Sequence, residues 1–235
     1  MKIKDSVVFI TGANRGLGLA FAKAALAAGA RKVYGAARDP NSITLPGVTP
    51  VALDVTQPAQ IEAAVRACGD VTLLVNNAGI SRGSSFLGSP DAVAAARAEL
   101  ETNFFGPWAV TQAFAPVLAA NGGGAVLNAL SVLSWATFPS VATYCASKSA
   151  AWSLSNGLRN ELAGQGTQVT SLHMALMDTD MARNIPGDKS SPDDVARQAL
   201  EGVEAGSIEV LADPTSRQVK QGLSSATPPY ASVPG

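Results

Sequence analysis

A tyrosine and a lysine four positions apart, Tyr144 and Lys148, are the residues of this chain best suited to moving a proton. On a helix that spacing stacks both side chains on one face, about one turn apart. A phenol ordinarily titrates near 10, and a neighbouring ammonium favours its phenolate, which brings the group toward working pH as a general acid or base. Alone, the same pair also suits the solvated face of any helix. A second constellation stands near the N-terminus, where Val7 to Thr11 leads into Gly12-Ala13-Asn14-Arg15-Gly16-Leu17-Gly18. Glycines at a strand-to-helix turn permit positive φ and a close backbone approach, and the free N–H groups at the helix start attract a pyrophosphate. The spacing is GxxxGxG rather than GxGxxG, and by itself it also fits an ordinary glycine turn. About 20 residues past the last glycine, a NAD site places a carboxylate on the ribose 2′-hydroxyl. Arg38 stands there instead, and with Arg15 it makes the basic pair expected to clamp a 2′-phosphate, hence NADP(H). The competing reading leaves Arg38 solvated, with Asp39 neutralising it or serving NAD.

These groups need a scaffold, and the hydrophobic pattern supplies one. Short β-branched runs alternate with longer alanine-rich amphipathic stretches, as in a parallel sheet flanked by helices. Strands are expected at Ser6 to Thr11, Lys32 to Ala37, Val48 to Leu53, Thr72 to Asn76, Ala125 to Ser131, Gln168 to His173 and Ser207 to Ala212. Helices are expected at Gly16 to Ala28, Pro58 to Ala67, Pro90 to Asn121, Ala142 to Ala163 and Pro192 to Ala205. The last begins legibly, with Ser191 as cap, Pro192 at the first helical position and Asp194 near the positive end of the dipole. The expected architecture is α/β: a Rossmann-type, doubly wound parallel sheet of seven strands with helices on both faces. A length of 235 residues fits a single dinucleotide-binding catalytic domain over 1–235. Asp178 to Ser191 lacks periodicity and contains Pro186 and Gly187, so it reads as an irregular substrate loop with one helical turn at most. From Ser224 onward the Ser, Pro and Ala composition reads as a flexible tail, or one packed by a neighbouring subunit.

Set in order, the motifs resemble the short-chain dehydrogenase/reductase family, specifically its shorter cytosolic, NADP(H)-preferring members, over nearly the whole chain. Thr11 to Gly18 is similar to the family's TGxxxGxG loop, Asp54-Val55 to its adenine-side pair, and Asn76-Asn77-Ala78-Gly79 to its NNAG motif. Asn103 falls where the family has a helix asparagine, Ser131 lies thirteen residues before Tyr144, Tyr144-Cys145-Ala146-Ser147-Lys148 matches YxASK, and Thr179 matches the threonine after the sixth strand. The resemblance implies a Ser-Tyr-Lys-Asn tetrad. In it Tyr144 protonates a carbonyl oxygen as hydride arrives from C4 of the nicotinamide, and Lys148 lowers the tyrosine pKa and holds the ribose. Ser131 bonds the substrate oxygen, and Asn103 anchors a relay water. It implies cofactor contacts from Gly12, Asn14, Arg15, Gly16, Leu17, Gly18, Arg38, Asp54, Val55, Asn76, Ala78, Gly79 and Thr179 besides Tyr144 and Lys148. Plainer roles stay open: Ser134 as the working hydroxyl instead of Ser131, Asn103 bonded to its own backbone, and Asn76 tying neighbouring strands. His173 reads as a satisfied structural group.

One departure stands out. Where the family often has Pro-Gly after the sixth strand, this chain has Met174-Ala175; Ala lacks glycine's positive-φ freedom, so the nicotinamide floor is expected to be reshaped. Trp135, Phe138, Leu176, Met177 and Ile185 are candidates for the wall of an apolar substrate pocket, and suit core packing equally. The composition, 47% hydrophobic and 15% charged with net charge −1 and no block of like charges, gives neither a nucleic-acid footprint nor a basic membrane face. Cys68 and Cys145 lie far apart and His173 is the only histidine, so no metal site is expected. The apolar run Val7 to Ile10 is too short for a signal-peptide core, and no membrane span is visible; a cytoplasmic location is expected. The expectation is an NADPH-dependent carbonyl reductase or alcohol dehydrogenase acting on a bulky apolar ketone. The expected assembly is a homotetramer or dimer through the two long helices. The alternative is a non-catalytic NADP(H)-sensing regulator on the same fold.

Overall fold

The computed structural model describes residues 1–231. In chain order its elements are β1 (Val7–Thr11), α1 (Gly16–Ala27), β2 (Lys32–Ala37), β3 (Val48–Ala52), α2 (Pro58–Ala67), β4 (Leu73–Asn76), α3 (Ala92–Leu100), α4 (Gly106–Ala120), β5 (Gly124–Ala129), α5 (Ala142–Leu162), β6 (Thr167–His173), α6 (Pro192–Glu204), β7 (Glu209–Leu211) and α7 (Pro214–Gly222). The seven strands form one parallel sheet in the order β3-β2-β1-β4-β5-β6-β7.

β1 shows why the sheet is covered twice. Every residue of it is buried, and successive side chains of a strand point to opposite faces. Val8 and Ile10 enter one core with Leu17 and Phe21 of α1 and Val195, Ala199 and Val203 of α6. Val7 and Phe9 enter the other, with Ile61 of α2, Val110 and Phe114 of α4 and Leu158 of α5. The Phe9 and Phe114 rings meet at 4.8 Å between centroids. Continuous apolar strands with helices on both faces are what a doubly wound parallel sheet requires. Because β2 and β4 flank β1 while the chain turns away from it in both directions, the crevice for a ligand opens at the carboxyl ends of β1 and β4.

Four details differ from the sequence reading. β5 ends at Ala129 and does not reach Ser131, because the Ser131 hydroxyl accepts a hydrogen bond from the Leu133 N–H at 3.1 Å and caps a 3-10 turn, Val132–Ser134. The expected helix from Pro90 to Asn121 is α3 and α4 joined by a π-helical turn, Glu101–Phe105. Pro107 has no N–H to give the Asn103 carbonyl, so an unbroken α-ladder cannot pass that point. β7 is only Glu209–Leu211. Beyond it, α7 was absent from the expected set. The Asp213 carboxylate accepts from the Ser216 N–H at 2.7 Å, with Pro214 at the helix start.

The Ser191 cap on α6 is present. The loop 178–191 carries one 3-10 turn, Asp180–Ala182, and its base is pinned by a parallel bridge between Met177 and Ser190. Of the tail, residues 224–231 are turns ending in a 3-10 segment, Pro229–Ala231; the remaining residues of that expectation, 232–235, lie outside those described.

Candidate active site

The glycine loop is shaped for an anion. Gly12 and Gly16 have φ of +67° and +54°, a region costly for any side chain. A Cβ on Gly18 would stand 2.1 Å from the Gly12 carbonyl oxygen, so α1 can begin this close to β1 only with glycine there. Arg15 is the N-cap residue of α1 and its side chain caps nothing, so the first N–H groups of the helix face the crevice. Asn77 laces the loop from beneath: its side-chain amide donates to the carbonyls of Thr11 at 2.9 Å and Gly12 at 3.2 Å, and its N–H donates to the Thr11 hydroxyl at 2.9 Å. The Ala78 N–H donates to the same hydroxyl at 3.0 Å. Asn77 had been read only as part of a motif; its role as a brace emerges from the structure. The Leu17 side chain is in the core, so only its backbone is open to the loop. These features fit the pyrophosphate of a dinucleotide.

The proton-handling residues come together at the ends of β4 and β5. α5 carries Tyr144 and Lys148 on one face, with the Lys148 Nζ 5.7 Å from the Tyr144 ring centroid. Lys148 is 6% exposed, and its ammonium donates to the Ala129 carbonyl at 2.8 Å. Asn103 projects from the π-turn, where its amide donates to the Ile80 carbonyl and the Ser147 hydroxyl and accepts from the Ile80 N–H, each at 2.9 Å. Gly79 leaves the space between them open: a Cβ there would be 3.2 Å from the Asn103 Oδ1 and 3.8 Å from the Lys148 Nζ. The Ser131 hydroxyl donates to the Met174 carbonyl at 3.4 Å. The Ser134 hydroxyl is buried without a hydrogen-bond partner.

The electrostatics correct one expectation. Lys148 does not by itself depress the phenol. Burial raises the Tyr144 pKa well above its usual 10, with Cys145 and Glu99 adding to the rise and the Ser131 hydroxyl drawing it back. Burial lowers Lys148 to about 8. Desolvation disfavours whichever form is charged, so the chain presents a protonated phenol beside an ammonium that still carries its charge at neutral pH.

Other expected contacts divide. Asn76 does what the plainer reading allowed: its amide donates to the Thr111 hydroxyl at 2.9 Å and to the Asn128 Oδ1 at 2.8 Å, which ties β4 to α4 and β5. Its own Oδ1 has no partner and borders a cavity of about 10 Å³ shared with Asn103 and Lys148. Asp54 accepts from the Thr56 N–H at 3.0 Å and hydroxyl at 2.7 Å, and Val55 is buried in the second core. Asn14 is partly exposed beside the loop. Thr179 packs over the glycine turn, its Cγ2 3.4 Å from where a Cβ on Gly16 would be. Arg38 is exposed with no ion pair or hydrogen bond among the described residues, and Asp39 is occupied in accepting from the Asn41 N–H at 3.0 Å. Arg15 pairs with Asp180 at 3.1 Å.

Of the pocket candidates, Phe138 and Ile185 are exposed, Leu176 and Met177 half-buried. Trp135 is not free to wall a pocket: it stacks on His173 at 3.8 Å, meets Trp152 edge-on at 6.3 Å and lies under the Lys220 ammonium of α7. Ala175 keeps an ordinary backbone, for Asp5 is the only non-glycine with positive φ among the described residues. Its N–H donates to the Asp213 carboxylate at 2.7 Å, so the chain after β6 is held by the cap of α7 where the family often has Pro-Gly.

His173 is fully buried, and its Nδ1 lies 3.1 Å from the Ser131 carbonyl. A carbonyl only accepts, so Nδ1 carries the proton. Burial is the largest influence and lowers His173 to about 4 from an ordinary 6.5. The unfolded chain therefore binds the extra proton first: stability is full above pH 6.5 and declines as pH falls toward 4, by about 3 kcal/mol from this group. Urea midpoints between pH 7.5 and 4.5 should show that loss in the wild type and not in His173→Asn, which keeps a donor for Ser131; parallel slopes would exclude the assignment.

Among the described residues, no helix is long and apolar enough to cross a membrane, and no three His, Cys, Asp or Glu side chains gather as metal ligands. The sheet order, glycine turn and Tyr-Lys crevice define a dinucleotide-binding α/β protein. Residues 6–190 match the short chain dehydrogenase family model. The chain is 33% identical over 202 residues to bovine (Bos taurus) dehydrogenase/reductase SDR family member 7B, covering 77% of this chain but only 61% of that protein's length. It is 35% identical over 180 residues to D-erythrulose reductase of Gallus gallus, covering 74% of this chain and 72% of that one. A short chain dehydrogenase from Burkholderia cenocepacia J2315, solved in complex with NADP, superposes with a TM-score of 0.92 at 39% identity over 96% of this chain and 95% of that one. The chain belongs to the short-chain dehydrogenase/reductase family of oxidoreductases.

Proposed function

We propose that the chain is an NADP(H)-dependent ketone reductase and alcohol dehydrogenase in which Tyr144 is the proton donor to the carbonyl oxygen. The observation that carries this is one cluster: Asn103 and Lys148 flank the gap left by Gly79, and Tyr144 lies beside both Lys148 and the Ser131 hydroxyl. The chemistry supplied by a bound nicotinamide is hydride transfer to or from carbon. The chain's part is positional and protic. Protonated Tyr144 carries the proton that reduction requires, and the Ser131 hydroxyl beside it is a second donor for the same oxygen. Lys148, anchored on Ala129 at the floor, holds charge beside the phenol and the ribose. The substrate is a bulky apolar ketone, a reading supported by Phe138, Leu176, Met177 and Ile185 on the loops after β5 and β6. The expected assembly is a homotetramer or dimer, supported by the exposed, stacked Phe105 and Trp108 at the start of α4.

NADPH is preferred over NADH because Arg38 has no carboxylate partner at the end of β2 while Asp39 is engaged with its own turn. Absorbance at 340 nm with aryl, bicyclic and aliphatic ketones should show turnover with NADPH and little with NADH. Arg38→Ala should raise the NADPH KM about tenfold or more, the worth of a charge-assisted phosphate contact, and leave NADH unchanged. Preference for NADH in the wild type would defeat the clamp; tight NADPH binding with no turnover on any ketone would defeat the reductase.

A further inference from the structure

We propose that Asp180 competes with the cofactor's 2′-phosphate for Arg15, and so sets how strongly this protein distinguishes NADPH from NADH. The inference rests on the reading of Arg15 as half of the phosphate clamp. Arg15 extends from the N-cap position of α1, and its Nη1 donates to the Asp180 Oδ2 at 3.1 Å. The other carboxylate oxygen, Oδ1, accepts from Arg183. One carboxylate is thus shared by two guanidiniums, which hold it below the usual carboxylate range.

The contact is built in by the base of the loop. Thr179 packs over the glycine turn, the Asp178 N–H donates to the Ser190 carbonyl at 3.1 Å, and Met177 bridges Ser190. Asp180 follows directly from this pinned base, 165 positions from Arg15 in sequence. Arg38, the other expected clamp residue, has no such tether among the described residues. Only Arg15 must be released.

A phosphate monoester carries a charge near −2 at neutral pH and a carboxylate −1, so a 2′-phosphate brought to Arg15 displaces Asp180 and repels it. Arg183 keeps the carboxylate paired after the exchange. A 2′-hydroxyl provides no charge to drive it, so with NADH the Arg15–Asp180 pair persists. Part of the favourable Arg15–phosphate interaction is spent on breaking a pair, and discrimination is smaller than two free arginines would give.

Calorimetric titration of the substrate-free protein with NADPH and NADH tests this without any turnover. Asp180→Asn should tighten NADPH about three- to fivefold, the scale of an exposed ion pair, and leave NADH unchanged; the gain should shrink in 0.5 M salt, about a 4 Å screening length. Arg183→Ala, which removes the carboxylate's second partner, should weaken NADPH alone. Arg15→Ala measures the clamp itself. If Arg15→Ala collapses the NADPH/NADH ratio while Asp180→Asn moves both cofactors equally or neither, the competition is wrong and the clamp stands. If Arg15→Ala leaves the ratio intact, the clamp is wrong and the competition falls with it.

Discussion

Tyr144→Phe should lower kcat for ketone reduction by about 10²- to 10⁴-fold, the range for loss of a positioned general acid, while the dissociation constant for NADPH stays within about twofold. The split follows from what the phenol touches. Its oxygen is the group that burial keeps protonated and the Ser131 hydroxyl acts on, whereas the glycine turn, Arg15 and Arg38 are elsewhere and unaltered. An interaction made only in the transition state reduces kcat and kcat/KM together. The ring is retained, so the Lys148 ammonium keeps its aromatic neighbour and the melting temperature should hold. A kcat within tenfold of wild type would remove Tyr144 from the chemistry; an equal loss in a Ser131→Ala control with Tyr144 intact would show that both hydroxyls serve one oxygen.

Gly18→Ala should be among the most damaging single-methyl changes in the protein. The new Cβ would be 2.1 Å from the Gly12 carbonyl oxygen and 2.6 Å from the Asn77 side-chain nitrogen. The carbonyl is backbone and cannot swing aside, so α1 must slide off the loop. Overpacking of this kind costs about 1–3 kcal/mol or more, which for a chain of this size lowers the melting temperature by roughly 3–10 °C. Cofactor affinity should fall about tenfold or more, because the N–H groups that meet the pyrophosphate move with the helix. Gly157→Ala is the matched control: it lies within α5, nothing stands within 4 Å of its added carbon, and it should stabilise by about 0.5–1 kcal/mol. Calorimetric melts and NADPH titrations of the two variants decide; equal melting temperatures would mean that the close approach of α1 to β1 is not what Gly18 secures.

What the sequence made legible was local or periodic. The glycine turn, the Tyr144–Lys148 face and the Ser191 cap each depend on neighbours within a few residues, and the seven strands follow from apolar runs that a two-sided sheet requires. The π-turn carrying Asn103 had a signal in Gly106-Pro107, since a proline inside an expected helix must free a carbonyl one turn earlier. Asp213-Pro214 likewise repeats the grammar of Ser191-Pro192 and marks α7. Other features had no local trace. Trp135 was open to both a pocket wall and core packing, and its surroundings come from His173 on β6 and Lys220 on α7, partners distant in sequence. The sign of the Tyr144 shift depends on how much water the whole fold removes, and spacing alone records only the nearby lysine. Asn77 was visible as a letter in a motif, but its brace on the Thr11 and Gly12 carbonyls exists only when β1 and β4 lie side by side.

That adjacency also bears on how the chain is made. In the order β3-β2-β1-β4-β5-β6-β7, each strand after the first docks against one already synthesised: β2 on β1, β3 on β2, then β4 back on β1 and the rest outward in turn. In a nascent chain emerging from the ribosome N-terminus first, every strand after β1 finds its first partner already made, and the free edge of β1 waits for β4. The glycine turn is laid down early, but its Asn77 brace arrives with β4, the Tyr144–Lys148 helix with β5 already in place, and the Asp213 clasp on Ala175 last of all. The phosphate cradle is therefore assembled during synthesis well before the acid that acts over it, and the floor of the site closes only as the final helix docks.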